Sequence, residues 1–172
     1  MYFVSGATTK FDAAKFILYH APHMKEGLEG FKQIRREAEL FYQTIGAVRC
    51  PYFGEQILFD VSGWEHLLQR NSGQPRNQMD QLRRIKLITH AILILKQSHL
   101  LQAYSVVSQW VHVHKNSREE RQILSVQYFV FVAVIDLRMR IKVVVRSISG
   151  GAKKFHSVFP LSDISGKEAE IS

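Results

Sequence analysis

No part of the chain leaves its backbone fewer choices than Gln127 to Pro160, QYFVFVAVIDLRMRIKVVVRSISGGAKKFHSVFP. The density of β-branched and aromatic residues, interrupted near Asp136–Leu137 and at Gly150–Gly151, predicts a three-stranded antiparallel meander. The middle strand alternates: Met139, Ile141, Val143, Val145 and Ser147 fall on one side, Arg138, Arg140, Lys142, Val144 and Arg146 on the other. One face is therefore suited to a core, and the other carries cations that either solvate the sheet or meet something anionic.

In the last strand Phe155, Ser157 and Phe159 share one side, and Lys154, His156 and Val158 the other. Pairing odd with odd buries both apolar sets, and a three-residue loop, Gly150-Gly151-Ala152, permits it. That register sets Arg146 opposite His156, with Lys154 beside them. Such a trio can hold a phosphate and move a proton.

Upstream, Phe11–Tyr19 and Lys25–Thr44 read as helices, followed by a short strand at Ile57–Phe59. GWEHLL, Gly63 to Leu68, predicts one or two helical turns capped by Ser62, with Trp64, Leu67 and Leu68 buried and His66 displaced toward the outer edge. A long helix is expected from Pro75 or Arg76 to Ser98. Arg76, Arg83, Arg84 and Lys86 crowd its first turns, against the macrodipole, so these arginines are candidates to meet phosphate. Tyr104–His114 and Ile123–Ile135 complete a four-stranded antiparallel sheet, with a charged turn at Ser117–Arg121. The expected fold is α+β, with N-terminal helices packed on one face of that sheet. Residues 1–50 read as a helical extension, 51–161 as the domain carrying the chemistry, and 162–172 as a polar tail.

The 172 residues are 46% hydrophobic and carry a net charge of +8, which favours an anionic partner, nucleic acid first. The single Cys50 excludes an internal disulfide and suits a reducing compartment. The opening MYFVSGATTK has no charged leader or continuous apolar run, and the longest apolar run, Tyr128–Ile135, is too short for a membrane helix. A cytoplasmic protein with no membrane partner is the expectation. His112 and His114 share a strand face but have no nearby carboxylate partner, so no metal site is predicted. The phosphate-binding, dinucleotide, zinc-protease and serine-hydrolase motifs are all absent.

What remains is His66, Arg76, Arg83, Arg84, Lys142, Arg146, Lys154 and His156, with Ser147 and Ser157 as secondary polar groups. Two imidazoles among cations suit RNA cleavage without a metal or cofactor. The ribose 2′-hydroxyl is itself the nucleophile, so the protein supplies a base, an acid and positive charge.

The segment ILFD, then GWEHLL, then PR and DQLRRI, then KVVVR, a Gly-containing turn and FHSVFP resembles the phage-associated branch of the barnase/EndoU/colicin/RelE-like nucleases. The likeness spans Ile57 to Pro160. It implies helices on one face of a curved antiparallel sheet and an active site on the other. It further implies that His66, Arg76, Arg83, Arg146 and His156 with Ser157 occupy the family's site positions. The expected catalytic set is His66, His156, Arg146, Arg83 and Arg76, with Arg84, Lys142, Lys154, Ser147 and Ser157 contacting substrate. In the family an aromatic often precedes the serine. His156 stands there in this chain, so either histidine can be the base. The implied function is a toxin-type endoribonuclease acting on single-stranded RNA or tRNA, with an acidic immunity or antitoxin protein as a second partner. A catalytically silent RNA- or DNA-binding module, or a phage structural protein docking through Lys25–Thr44, is the alternative.

Overall fold

A computed structural model describes residues 28–115, 118–136 and 139–161. The helix expected at Phe11–Tyr19, the turn at Leu137, Arg138 and the tail at 162–172 lie outside these residues. In chain order the elements are α1 (Leu28–Ile45), β1 (Ala47–Cys50), β2 (Glu55–Leu58), α2 (Val61–Leu68), α3 (Gln78–Lys86), α4 (Ile88–Gln97), β3 (Ala103–Lys115), β4 (Arg118–Asp136), β5 (Met139–Ile148) and β6 (Lys154–Leu161). The α+β class is as expected.

The sheet differs from expectation. It has six strands in the order β1-β2-β6-β5-β4-β3, and it is mixed, because β2 meets β6 in parallel through Leu58 and Lys154. The extra pair is short. β1 and β2 are four residues each and pair antiparallel from Ala47–Leu58 to Cys50–Glu55; β2 is the strand expected at Ile57–Phe59, begun two residues earlier, whereas β1 is too brief for alternation to declare it. Asp60, not Ser62, caps α2, accepting from the Gly63 N–H at 3.2 Å, while the Ser62 hydroxyl donates to the same carboxylate at 2.6 Å.

The single long helix is instead two, broken at Leu87, whose N–H bonds back to the carbonyls of Arg84 and Ile85. Asn77 caps the first half by accepting from Asp80 N–H at 2.8 Å. Ile85 before the break and Ile88 after it are both buried in the core.

One core joins the layers. Ile141, Val143 and Val145 of β5 meet Trp64, Leu67 and Leu68 of α2, Ile85, Ile88 and Leu95 of the split helix, and Phe131, Phe155 and Val158. Ala38 and Tyr42 of α1 and Val48 and Cys50 of β1 belong to that same core, so the described part of the first fifty residues is packed into the fold. Tyr42 lies 5.5 Å from the Trp64 ring and donates its hydroxyl to the Asp60 carbonyl at 3.1 Å. Gly63 stands where α2 presses hardest on β6. A Cβ there would fall onto the Tyr42 hydroxyl and lie 2.6 Å from the Phe155 carbonyl oxygen.

The β5–β6 register pairs odd with odd only at Val145 and Phe155. A bulge then inserts His156 as an extra residue, and the pairs become Val144–Ser157, Val143–Val158 and Lys142–Phe159. Val158 therefore takes the core place expected for Phe159. Arg146 pairs with Lys154 rather than His156. The connecting segment turns through Ser149 (φ 49°) and Gly150 (φ 73°).

At the far side, β3 pairs along its whole length with the first part of β4, from Ala103–Val130 to Lys115–Arg118, whereas β5 reaches β4 only as far as Val126. Residues 118–125 and their β3 partners thus form a two-stranded arm beyond the end of β5. Among the described residues no helix is long and apolar enough to cross a membrane.

Candidate functional site

The core demands on α2 set the position of His66. Trp64, Leu67 and Leu68 point inward; of the two residues between them Glu65 is exposed, and His66 is half-buried at the border of the β6 contact. There its ring meets His156. The bulge gives His156 no partner on β5, and its imidazole stacks on that of His66 with centroids 3.8 Å apart and planes tilted by 23°. The Tyr128 ring lies 5.4 Å from His156. Two residues from different elements, ninety positions apart, thus form one imidazole pair.

Both rings line an open cavity of about 380 Å3. Arg146 and Tyr128 line it from the sheet, Gln109 and Trp110 from the β3 arm, and Ser62, Glu65, Gln69, Arg70, Asn71 and Gly73 from α2 and the loop after it. The Tyr128 hydroxyl holds the Gln109 amide, 3.2 Å from Nε2 and 3.3 Å from Oε1.

The histidines are held neutral. Burial, then the nearby Arg76, Arg84 and Arg146, push His66 down to about 4. Burial, then His66, Arg146 and Arg76, push His156 down to about 3. Two imidazolium rings stacked this closely would repel, so the pair takes up at most one proton readily. Each ring is a base at neutral pH, in surroundings that reward an incoming anion.

Three of the ten expected residues line the cavity: His66, Arg146 and His156. Arg76 and Arg84 stand behind it. Arg76 Nη1 pairs with Asp80 at 3.3 Å and its Nε reaches the His66 carbonyl at 3.4 Å. Arg84 Nε pairs with the other Asp80 oxygen at 3.1 Å, and Nη1 donates to Ser157 Oγ at 2.9 Å. These two guanidiniums act on the histidines through their field and do not face the cavity.

Arg83, expected in the catalytic set, is exposed on the opposite side of α3 from the core residue Ile85, and Arg84 occupies the place toward β6. Consecutive helical residues are separated by about 100°, so only one of the pair can serve. Lys142 is drawn to the Phe159 ring, 5.5 Å from its centroid, beside Arg84 at 5.1 Å. Lys154 is committed to Asp60 at 2.7 Å. Burial favours the protonated Asp60 acid, but that ammonium, the Ser62 hydroxyl and the Gly63 N–H outweigh it and hold the carboxyl below its usual range.

The two serines are buried and closed to a substrate. Ser147 donates to the Gly151 carbonyl at 2.7 Å and braces the β5–β6 turn, and Ser157 accepts from Arg84. Sequence reasoning missed Tyr128, Gln109, Trp110 and Asn71. Tyr128 was legible as the strand neighbour of Arg146, since the two are directly paired. His112 lies out on the β3 arm, exposed and paired with Glu119 at 2.9 Å, so it does have the carboxylate partner that the sequence did not suggest.

No protein-family model matches the chain, no curated protein matches it, and no solved structure matches it.

Proposed function

We propose that this chain is an endoribonuclease that cleaves RNA by attack of the ribose 2′-hydroxyl on the adjacent phosphate. The observation that carries the reading is the stacked His66–His156 pair at 3.8 Å, ringed by Arg76, Arg84 and Arg146 and open to a cavity. A bound phosphodiester, being anionic, raises the affinity of the pair for one proton. The reactive complex then holds one neutral ring and one protonated ring. The neutral ring takes the proton from the 2′-hydroxyl as the new P–O bond forms. The protonated ring gives its proton to the departing 5′-oxygen as that P–O bond breaks, leaving a 2′,3′-cyclic phosphate and a free 5′-hydroxyl.

Side-by-side rings suit this exchange, because the attacking and leaving oxygens are themselves separated by only two P–O bonds. Arg146, which lines the cavity, is placed to stabilise the charge on the phosphorane. Among the described residues lining the cavity, Glu65 is the one carboxylate, and no group of three or more His, Cys, Asp or Glu converges. That donor set favours chemistry independent of a metal. The resemblance of GWEHLL and FHSVFP supports a toxin-type, phage-associated character, the single Cys50 supports a cytoplasmic location, and the net charge of +8 supports an acidic inhibitor protein as partner.

Mixed cellular RNA incubated with the protein in excess EDTA tests the reading. Wild type is expected to cleave it, and His66→Ala and His156→Ala to lose at least about 100-fold in rate. Intact RNA with wild type, shifted on a native gel, would reduce the protein to a binding module.

A further inference from the structure

β3 is the outermost strand of the sheet, and no described segment of the chain pairs with its outer edge. The opposite edge is β1, which is four residues long and carries Arg49. Shortness and charge are the usual defences of an edge strand, because every second residue there presents its N–H and C=O to any strand that arrives. β3 has neither. It runs for 13 residues, AYSVVSQWVHVHK, with no proline or glycine and no aspartate, glutamate, lysine or arginine before Lys115. Its pairing with β4 keeps one register from Ala103 to Lys115, so no bulge turns the edge away.

The side chains add to the exposure. Tyr104, Val106 and Trp110 share one face of the β3–β4 ribbon and are each half or more exposed; Val107, on the other face, is 42% exposed. From Ser108 onward the ribbon has no third strand, because β5 leaves β4 at Val126, the partner of Val107. A two-stranded ribbon is marginal in water and gains from another strand. A strand of the same sequence fits this edge. Antiparallel pairing about a two-fold axis at Val107 sets Tyr104 opposite Trp110 of the second copy, Ala103 opposite Val111, Ser105 opposite Gln109 and Val106 opposite Ser108, each pair occurring twice. The two exposed aromatics then become cross-strand neighbours, and no like charges meet between Ala103 and Val111.

We infer that this chain pairs with a second copy of itself through β3, antiparallel about Val107, joining two six-stranded sheets into one. The inference goes beyond the RNA-cleaving reading and does not depend on it. The pairing closes on itself: it uses the long edge of both copies and leaves only the two short β1 edges, so assembly stops at the dimer. One strand from each copy makes an interface on the order of 1,000 Å2, the low end for a specific complex, so the dimer is reversible in the micromolar range. A foreign strand would meet the same backbone edge without the matched Tyr104–Trp110 pairs.

Sedimentation velocity on the full chain between about 2 and about 200 μM tests this. Wild type is expected to pass from monomer to dimer across that range, with no larger species. Val107 lies on the axis and meets itself, so Val107→Lys and Val107→Glu should each weaken the dimer at least about tenfold by setting like charges opposite one another. An equimolar mixture of the two variants should recover it, since opposite charges then face each other across the axis; that recovery separates a lost interface from a lost fold. Val107→Cys is a milder second variant. Residues on such an axis hold their Cα atoms about 4.5–5.5 Å apart, so it should oxidise to a disulfide-linked dimer, and the buried Cys50 does not compete. Wild type monomeric at every concentration would overturn the inference and leave the edge to another strand. A wild-type dimer that neither charged variant weakens, or a Val107→Cys chain that does not cross-link, would place the contact elsewhere and overturn it equally.

Discussion

Lowering the pH from 7.5 to 5.0 should cost this fold stability through two residues. A histidine depressed in the folded state binds its proton more readily in the unfolded chain, where its value is near 6.5. Its contribution is complete above that value and is lost as the pH falls through the window down to the folded values, about 4 for His66 and about 3 for His156. At pH 5 the unfolded rings are almost fully protonated and the folded ones are not, which amounts to about 2 kcal/mol for each ring by linkage. His66 is only half-buried, so solvent screening reduces its share, and about 3 kcal/mol for the pair is the working figure. Asp60 adds little in this window, since its carboxyl titrates below the usual carboxylate range. Urea unfolding followed by the emission of buried Trp64 at the two pH values measures the difference. The comparison is the double variant His66→Gln/His156→Phe, which has neither ring and should lose less than about 1 kcal/mol over the same interval. If wild type and double variant lost stability equally, the rings would not be held neutral by their surroundings, and the proton economy of the proposed reaction would fall with them.

Gly63→Ala should destabilise the fold by about 2 kcal/mol despite the better helix propensity of alanine, because the new methyl meets backbone at Phe155; thermal unfolding checks it. Arg84→Met should cost about 1–3 kcal/mol by stranding Ser157 Oγ and half of the Asp80 pairing, and should also raise the His66 pKa, both readable by urea unfolding and NMR titration. Arg146→Met removes a cation that depresses both histidines, so both NMR titration curves should move up while RNA cleavage falls about 100-fold. Arg83→Ala should leave cleavage within about twofold of wild type, since its exposed side chain is off the cavity; a large loss would return Arg83 to the site.

The α+β class, the meander and the core face of β5 were legible because period-2 alternation is a local signal that the core enforces: Ile141, Val143, Val145 and Ser147 are all buried. His66 was legible for a similar reason, as a polar position set with Glu65 between the buried Trp64 and Leu67 of a short helix. What escaped was set by contacts between distant segments. Four-residue β1 exists through its pairing with β2, the parallel contact of β2 with β6 joins Leu58 to Lys154, and Arg84 rather than Arg83 is the arginine of α3 that reaches Ser157 on β6.

The bulge at His156 carries the consequence furthest. Strict alternation places His156 opposite Arg146 and Phe159 in the core. In the folded chain the extra residue moves Val158 into the core, turns Phe159 under Arg84 and Lys142, and frees His156 from the ladder to lie on His66. A regular strand would keep the histidine in a cross-strand pair on β5, with no reason to meet α2. The irregularity that defeats the sequence pattern is thus the feature that assembles the imidazole pair. Its neighbours fit that role: the β5–β6 turn just before it is braced by the buried Ser147, and Ser157, just after it, is held by Arg84. The two serines expected as substrate contacts instead fix the strand on either side of the bulge, and so hold His156 against His66.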